Sequence, residues 1–286
     1  MAGFKAASVL SGLAYLALAA CGSTDEPAVA LVSNGVAPRV ELRYVPALDA
    51  VDQRRVSVEL AMRVTRGKPS ARPAYPSTLP PLELAVEGRV SQGGDNEDGP
   101  TYVLVVDQVY LDEGLLRTPP LRTLERRQSF GARGLNPKAA VTTSPGAGQY
   151  DASVGEVLDL LGIPFPVDPV GVGAQWTATE TVRHHGFDHL RRIEYTLDSY
   201  DTAGATLRLT MTKAAEPQRL DAFDGVSAHL EHFEGTGELT LRVAFDRLIP
   251  TTLSGTLTTR MAYRVGGATG LSMSTVHTTQ ITVPAK

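Results

Sequence analysis

Val56-Ser57-Val58-Glu59-Leu60-Ala61-Met62-Arg63-Val64-Thr65 decides the class of the fold. Val56, Val58, Leu60, Met62 and Val64 alternate with Ser57, Glu59, Ala61, Arg63 and Thr65. A period of two belongs to a β-strand, whose successive side chains point to opposite faces. An amphipathic helix would instead repeat its apolar residues three and four apart. One face is apolar and the other polar, which is the signature of an antiparallel sheet buried on one side.

The same alternation recurs along the chain. Leu82, Leu84 and Val86 alternate with Glu83, Ala85 and Glu87. Ile193, Tyr195 and Leu197 alternate with Glu194, Thr196 and Asp198, and Leu207, Leu209 and Met211 continue the habit. Leu239, Leu241, Val243 and Phe245 stand against Thr240, Arg242, Ala244 and Asp246, and Leu253, Leu257, Met261 and Tyr263 share one parity. Further strands fit residues 40–45, 102–110, 121–130, 175–182 and 272–283. Turn chemistry lies between them: the polar run Gly93-Gly94-Asp95-Asn96-Glu97-Asp98-Gly99-Pro100, residues 201–204, Asp224-Gly225 and Gly266-Gly267. Residues 66–81 are proline-rich and read as an irregular surface loop. No repeat of fixed period is present, although two sets of long strands flank the middle of the chain.

That middle carries the one helical signal. Ser153-Val154-Gly155-Glu156 resembles a capping box, with Ser153 as N-cap. Val154, Val157, Leu158 and Leu161 then form one apolar face, and Gly162 and Pro164 end the helix near residue 161. Many one-faced strands must therefore bury their apolar side with only one short helix to cover it. A flat sheet would leave that face wet. The expected fold is mainly β: a large antiparallel sheet curled into a half-barrel, with the helix and its loop as plug or lid. The alternative is a two-sheet β-sandwich.

The N-terminus reads as a targeting segment. Lys5 is followed by an apolar run through Val9, Leu10, Leu13, Tyr15, Leu16 and Leu18, then the small residues Ala19 and Ala20. The run is short for a bilayer span, which needs about 20 apolar residues. Leu18-Ala19-Ala20-Cys21 resembles the bacterial lipobox, and Cys21 is the only cysteine in the chain. The resemblance implies that residues 1–20 are a signal peptide and that Cys21 is acylated and holds the protein at a membrane. It explains a lone cysteine in an exported protein without a disulfide. Gly22, not aspartate, follows the cysteine, so the usual inner-membrane retention signal is absent and the outer membrane is favoured. Residues 21–38 read as the acylated cysteine and a tether, and residues 39–286 as a single antiparallel β domain. The formal charge of −4, with no basic cluster, argues against nucleic-acid binding.

After the helix comes Ile163-Pro164-Phe165-Pro166-Val167-Asp168, then Pro169-Val170-Gly171-Val172-Gly173-Ala174-Gln175-Trp176 leading into a strand. The pattern Pro-Val-x-Val-Gly-x-x-Trp, with long strands on both sides and Gly235-Thr236-Gly237 in a later strand, resembles an uncharacterised family of bacterial envelope lipoproteins. Such proteins look like the LolA/LolB-type half-barrel, a curved sheet around an apolar cavity. The resemblance implies binding of a lipid or another apolar ligand and supplies no catalytic residues. This chain has fewer lid helices than LolA and LolB. In the residues themselves the motif reads as structural: the prolines fix an extended path, the glycines allow tight turns, and Trp176, the only tryptophan, anchors a strand. A cavity in the curved sheet would be lined by Tyr195, Leu209, Leu241 and Val243, with Trp176 as a further ligand contact.

Other chemistry finds little footing. His184, His185 and His189 with Asp188 are candidate metal ligands, but adjacent residues on a strand face opposite ways, and a polar hairpin around Gly186 explains them as well. His229 and His232 with Glu231 and Glu234 form a second such group. Gly171-Val172-Gly173 is not a dinucleotide loop, because Trp176 stands where the third glycine belongs. There is no G-x-S-x-G elbow or H-E-x-x-H helix, and acylation of Cys21 would remove the only thiol. The expectation is a non-enzymatic, cofactor-free binding protein. A structural or protein-interaction module of the envelope, with its partners unidentified, is the alternative. A metal-binding protein ranks third.

Overall fold

The computed structural model describes residues 22–23, 28–47, 50–66, 75–78, 81–91, 101–111, 124–131, 133–135, 140–142, 151–184, 187–223, 226–266 and 270–285. Residues 1–20, read above as a signal peptide, Cys21, the run 93–100, the Asp224-Gly225 turn and Gly267 lie outside them.

The strands in chain order are β1 (Gly22–Ser23), β2 (Ala28–Ser33), β3 (Val51–Arg66), β4 (Tyr75–Thr78), β5 (Leu82–Ser91), β6 (Thr101–Leu111), β7 (Leu124–Gly131), β8 (Gly134–Leu135) and β9 (Ala140–Thr142). The helix α1 (Asp151–Leu161) follows, then β10 (Gln175–His184), β11 (Phe187–Tyr200), β12 (Gly204–Ala215), β13 (Gln218–Phe223), β14 (Val226–Ala244), β15 (Thr252–Val265) and β16 (Leu271–Val283). All sixteen belong to one curved antiparallel sheet. The sandwich alternative is therefore not the arrangement adopted.

The sheet is built from two meanders. β3, β5, β6 and β7 form the first, and β10, β11, β12, β14, β15 and β16 the second, in the order β1-β10-β11-β12-β14-β15-β16-β3-β5-β6-β7-β8. The last strand, β16, joins the first long one, β3, over ten residue pairs from Met273–Arg66 to Thr282–Ser57. The chain between the meanders, carrying α1, thus starts at one edge of the sheet and ends at the other. No strand pair closes the seam among the described residues. It is instead bridged by the chain after the helix. The Phe165 N–H donates to the Arg133 carbonyl beside β8 at 2.8 Å, and the Trp176 indole N–H on β10 donates to the Pro164 carbonyl at 2.8 Å.

Alternation delivers the burial that the sequence promised. Val56, Val58 and Leu60 are buried on the concave side while Arg55 and Glu59 are exposed. β11 runs buried–exposed from Phe187 to Leu197. The concave residues form one large cluster with Val157, Leu158, Leu160 and Leu161 of α1 and with Ile163 and Phe165. From Val157 to Leu161 every residue of the helix is buried. The expected single apolar face is thus too narrow a description: α1 is a plug inside the trough. It also begins at Asp151, which puts Glu156 in the second turn and not at the third position of a capping box. The side chain of Ser153 lies outside the described residues.

Three other expectations are corrected. Residues 40–45 are not a strand. Leu42 and Tyr44 alternate inward as expected, but the chain makes only an isolated bridge, Val40 with Val170. It is a strap across one end of the barrel, held by the Val36 and Val45 N–H groups donating to the Val172 and Phe245 carbonyls. Gly171 is needed here, because a Cβ on it would strike the Val36 carbonyl. The proline-rich loop at 66–81 contains β4, which pairs with β3 through Pro76 and its neighbours. Pro76 is tolerated because β4 lies at the sheet margin. Finally, residues 28–33, within the stretch read as a tether, form β2 on the free side of β10.

Candidate functional site

The five residues read as cavity-lining are brought together on the concave face. Trp176, Tyr195, Leu209, Leu241 and Val243 are all buried within the cluster that surrounds α1. Trp176 is fully buried and stacks on Tyr195, its cross-strand partner, with ring centroids 5.4 Å apart and planes at 8°. Burial holds the Tyr195 hydroxyl far above the ordinary tyrosine range, with the nearby Glu180 carboxylate adding to the rise. In the same cluster Tyr44 meets Phe165 at 4.9 Å, and Phe165 meets Phe245 edge-on at 6.4 Å. Tyr44 and Phe165 are buried members of the cluster that contains α1, and Phe245 packs against it.

What the alternation did not announce is a rank of polar residues crossing the apolar face. Register places Glu180, Arg191, Lys213, Gly235, Thr259, His277 and Met62 opposite one another on successive strands, β10, β11, β12, β14, β15, β16 and β3. Their parity is that of the buried residues. Arg191 and Lys213 are directly opposed cations on a buried face, an arrangement that repels unless anions intervene. The anions come from two directions. Arg191 donates through Nε and Nη2 to Glu180 Oε1 at 3.0 and 2.6 Å, and through Nη1 to Asp159 Oδ2 of α1 at 3.0 Å. Lys213 donates through Nζ to Glu156 Oε1, also of α1. The side chains of Arg191 and Lys213 are 4% and 3% exposed. A buried cation is tolerated only when paired and hydrogen-bonded, so the sheet depends on the helix for its neutrality.

Gly235 makes the Lys213 contact possible. The Lys213 side chain lies across it, with Cδ only 3.0 Å from where a Cβ would sit. Gly237, one rank further along β14, leaves room for Leu257 in the same way. The Gly235-Thr236-Gly237 motif thus clears the floor beneath the helix. His277 stands in the same rank. Burial holds its imidazole below the ordinary histidine value, Glu156 opposes that shift, and Lys213 adds to it.

The rank divides the concave face. On one side lies the large cluster under α1. On the other lies a smaller one of Phe187, Leu220, Ala228, Leu230, Phe233, Met261, Tyr263 and Met273. His189 belongs to this second cluster. Its ring packs against both Phe187 and Phe233, at 6.0 and 5.0 Å between centroids. Its sequence neighbour Asp188 is exposed and faces Arg183 at 3.3 Å. The side chains of His184 and His185 lie outside the described residues. His229 and His232 are exposed; His232 Nε2 lies 3.5 Å from Glu234, which also pairs with Arg260 at 3.1 Å, and Glu231 pairs with Arg264. Among the described residues no group of three metal-ligating acid, histidine or cysteine side chains converges.

A second charge group joins buried Asp52 and Arg54 to the exposed Arg247, with Asp52 Oδ1 3.4 Å from both arginines. Sequence reading missed both groups, although a signal existed. Arg191 shares parity with Ile193, Tyr195 and Leu197. Lys213 shares it with Leu207, Leu209 and Met211, and Arg54 shares it with Val56 and Val58. A charge on the apolar parity of a strand must find a buried partner.

No helix among the described residues is long and apolar enough to cross a membrane. The chain matches no protein-family model and no curated protein.

Proposed function

We propose that this chain is an exported envelope protein, anchored through acylated Cys21 on the outer-membrane side, whose curved sheet binds a lipid or other apolar ligand against its concave face. The observation that carries this reading is the mismatch between sheet and cover. One sheet, not closed by any strand pair among the described residues, presents a large apolar region on its concave face beside the charged rank, and the cover of that region is an 11-residue helix with its connections. Lifting α1 itself breaks no strand pair among the described residues.

Magnitudes make the exchange feasible. Val157, Leu158, Leu160 and Leu161 each contribute about 1.5–3 kcal/mol of burial. An acyl chain of about 12 methylenes, at about 0.8 kcal/mol each, offers a comparable total. The two hydrogen bonds that bridge the seam add about 1 kcal/mol each, and the ion pairs of α1 with Arg191 and Lys213 must be replaced by the ligand as α1 leaves. Binding rather than catalysis also fits a concave face whose charged groups are locked in ion pairs.

Native mass spectrometry of the full chain purified from cells tests the reading. A reproducible added mass that extracts into organic solvent is expected, beyond the acyl groups on Cys21. A polypeptide carrying no such mass, and taking up none from an envelope lipid extract, contradicts it. The anchor has its own test: palmitate labelling should disappear in Cys21→Ser. A second reading, a protein-interaction module, is favoured by β2, an edge strand whose Val29 and Val32 are exposed at 39% and 63%.

A further inference from the structure

We propose that α1 occupies the seat of an acidic amphiphile, with Lys213 and Arg191 forming the headgroup site that Glu156 and Asp159 fill in the closed state. This rests on the apolar-ligand reading above and adds the ligand's class.

α1 and an acidic amphiphile match in chemistry. α1 presents to the trough an aliphatic surface, Leu158 and Leu161 among it, and two carboxylates one turn apart, Glu156 and Asp159. An acyl chain with an acidic head has the same two parts. The two cations belong to the sheet and stay when the helix leaves. Arg191 would keep Glu180 from its own sheet, whereas Lys213 would lose its helix carboxylate. A neutral lipid would leave that ammonium buried without an anion, which is strongly unfavourable. A ligand with a carboxylate or phosphate replaces the contact in kind. Gly235, beneath the Lys213 side chain, gives the ammonium its reach over β14. The aliphatic tail then runs along the rows of Leu209, Leu241 and Val243, where α1 now lies.

Calorimetric titration of the full chain with oleate, oleyl phosphate and oleyl alcohol, each below its micelle concentration, tests the assignment. The acidic probes should bind roughly tenfold or more tighter than the alcohol, the equivalent of one charged hydrogen bond. Whichever acid binds tighter names the headgroup. The double variant Glu156→Gln with Lys213→Met removes the pair without stranding a charge, and it should abolish the preference while still binding the alcohol. Glu156→Gln alone should bind oleate tighter than the native chain, and oleate should raise its Tm more. Equal binding of acid and alcohol, or a preference that survives the double variant, overturns the headgroup assignment and leaves the apolar-ligand reading standing. Binding of none of the three overturns both.

Discussion

The two apolar clusters of the concave face share β11, β14, β15 and β16 and are built by the same alternation, yet they are organised differently. The larger is covered by α1, and its boundary rank is charged. The smaller is made mostly from the sheet's own aromatic and sulfur-containing side chains, with Phe187 edge-on to Phe233 at 4.9 Å. It has no ion pair to a helix among the described residues. The difference shows what the buried charges are for. A sheet that covers itself needs only apolar side chains, whereas a sheet seating a separate element needs contacts that fix the register of that element. Arg191 and Lys213, held by Asp159 and Glu156, place α1 along the trough, which apolar contact alone would leave free to slide.

The largest effect should come from the covered cluster. Trp176→Ala removes the fully buried ring that stacks on Tyr195 and ties the seam to Pro164. It should lower unfolding free energy by about 3–5 kcal/mol in a urea melt. Leu230→Ala, fully buried in the smaller cluster, should cost about 2–3 kcal/mol, the lower part of the range for such truncations. A reversed order would erase the distinction between the two regions.

Lys213→Met comes next. Leaving Glu156 buried without its ammonium should cost about 3 kcal/mol. Adding Glu156→Gln should restore most of it, because replacing both partners of a buried pair is often near neutral. A double variant as unstable as the single one would mean that Lys213 acts through packing and not through the pair.

A smaller effect is expected from pH. Because the folded-state His277 value lies below the ordinary histidine value of 6.5, the unfolded chain takes up the proton first. Its contribution to stability is therefore complete above pH 6.5 and is lost as pH falls from there through the folded value. Melts from pH 8 to 5 should show this slope, and His277→Gln should flatten it. At the weak end, Glu234→Ala on the convex face breaks an ion pair with Arg260 whose side chains are 47% and 58% exposed. It should change stability by less than about 1 kcal/mol in the same urea melts.

Much of this was legible in the sequence. The strands of residues 56–65, 82–87, 193–198 and 239–244 follow from strict alternation, and the helix follows from its spacing. The half-barrel follows from the shortage of covering helices. The smaller cluster was harder to see because β14 carries a bulge between Leu230 and His232. The inward parity therefore changes from Leu230 to Phe233, and counting back from Leu239 puts Leu230 on the wrong face. The strap at 40–45 alternates as a strand does because one side of it is buried, but alternation reports burial and not hydrogen-bonded partners. β2 was missed because Ala28-Val29-Ala30-Leu31-Val32 is small and apolar on both parities. The ionic belt was legible only in part. Charges on apolar parity are visible in each strand, but bringing them into one rank depends on registers that local patterns do not contain.

Hydrogen exchange across residues 151–161, with and without oleate, tests the central claim most directly, namely that α1 is a seated plug and not a fixed part of the core. The account predicts slow amide exchange in α1 without ligand. Oleate should then speed it selectively, while the amides of β11, β12 and β14 stay protected. An α1 that exchanges no faster with oleate bound at the sheet, or that exchanges only together with those strands, would contradict it.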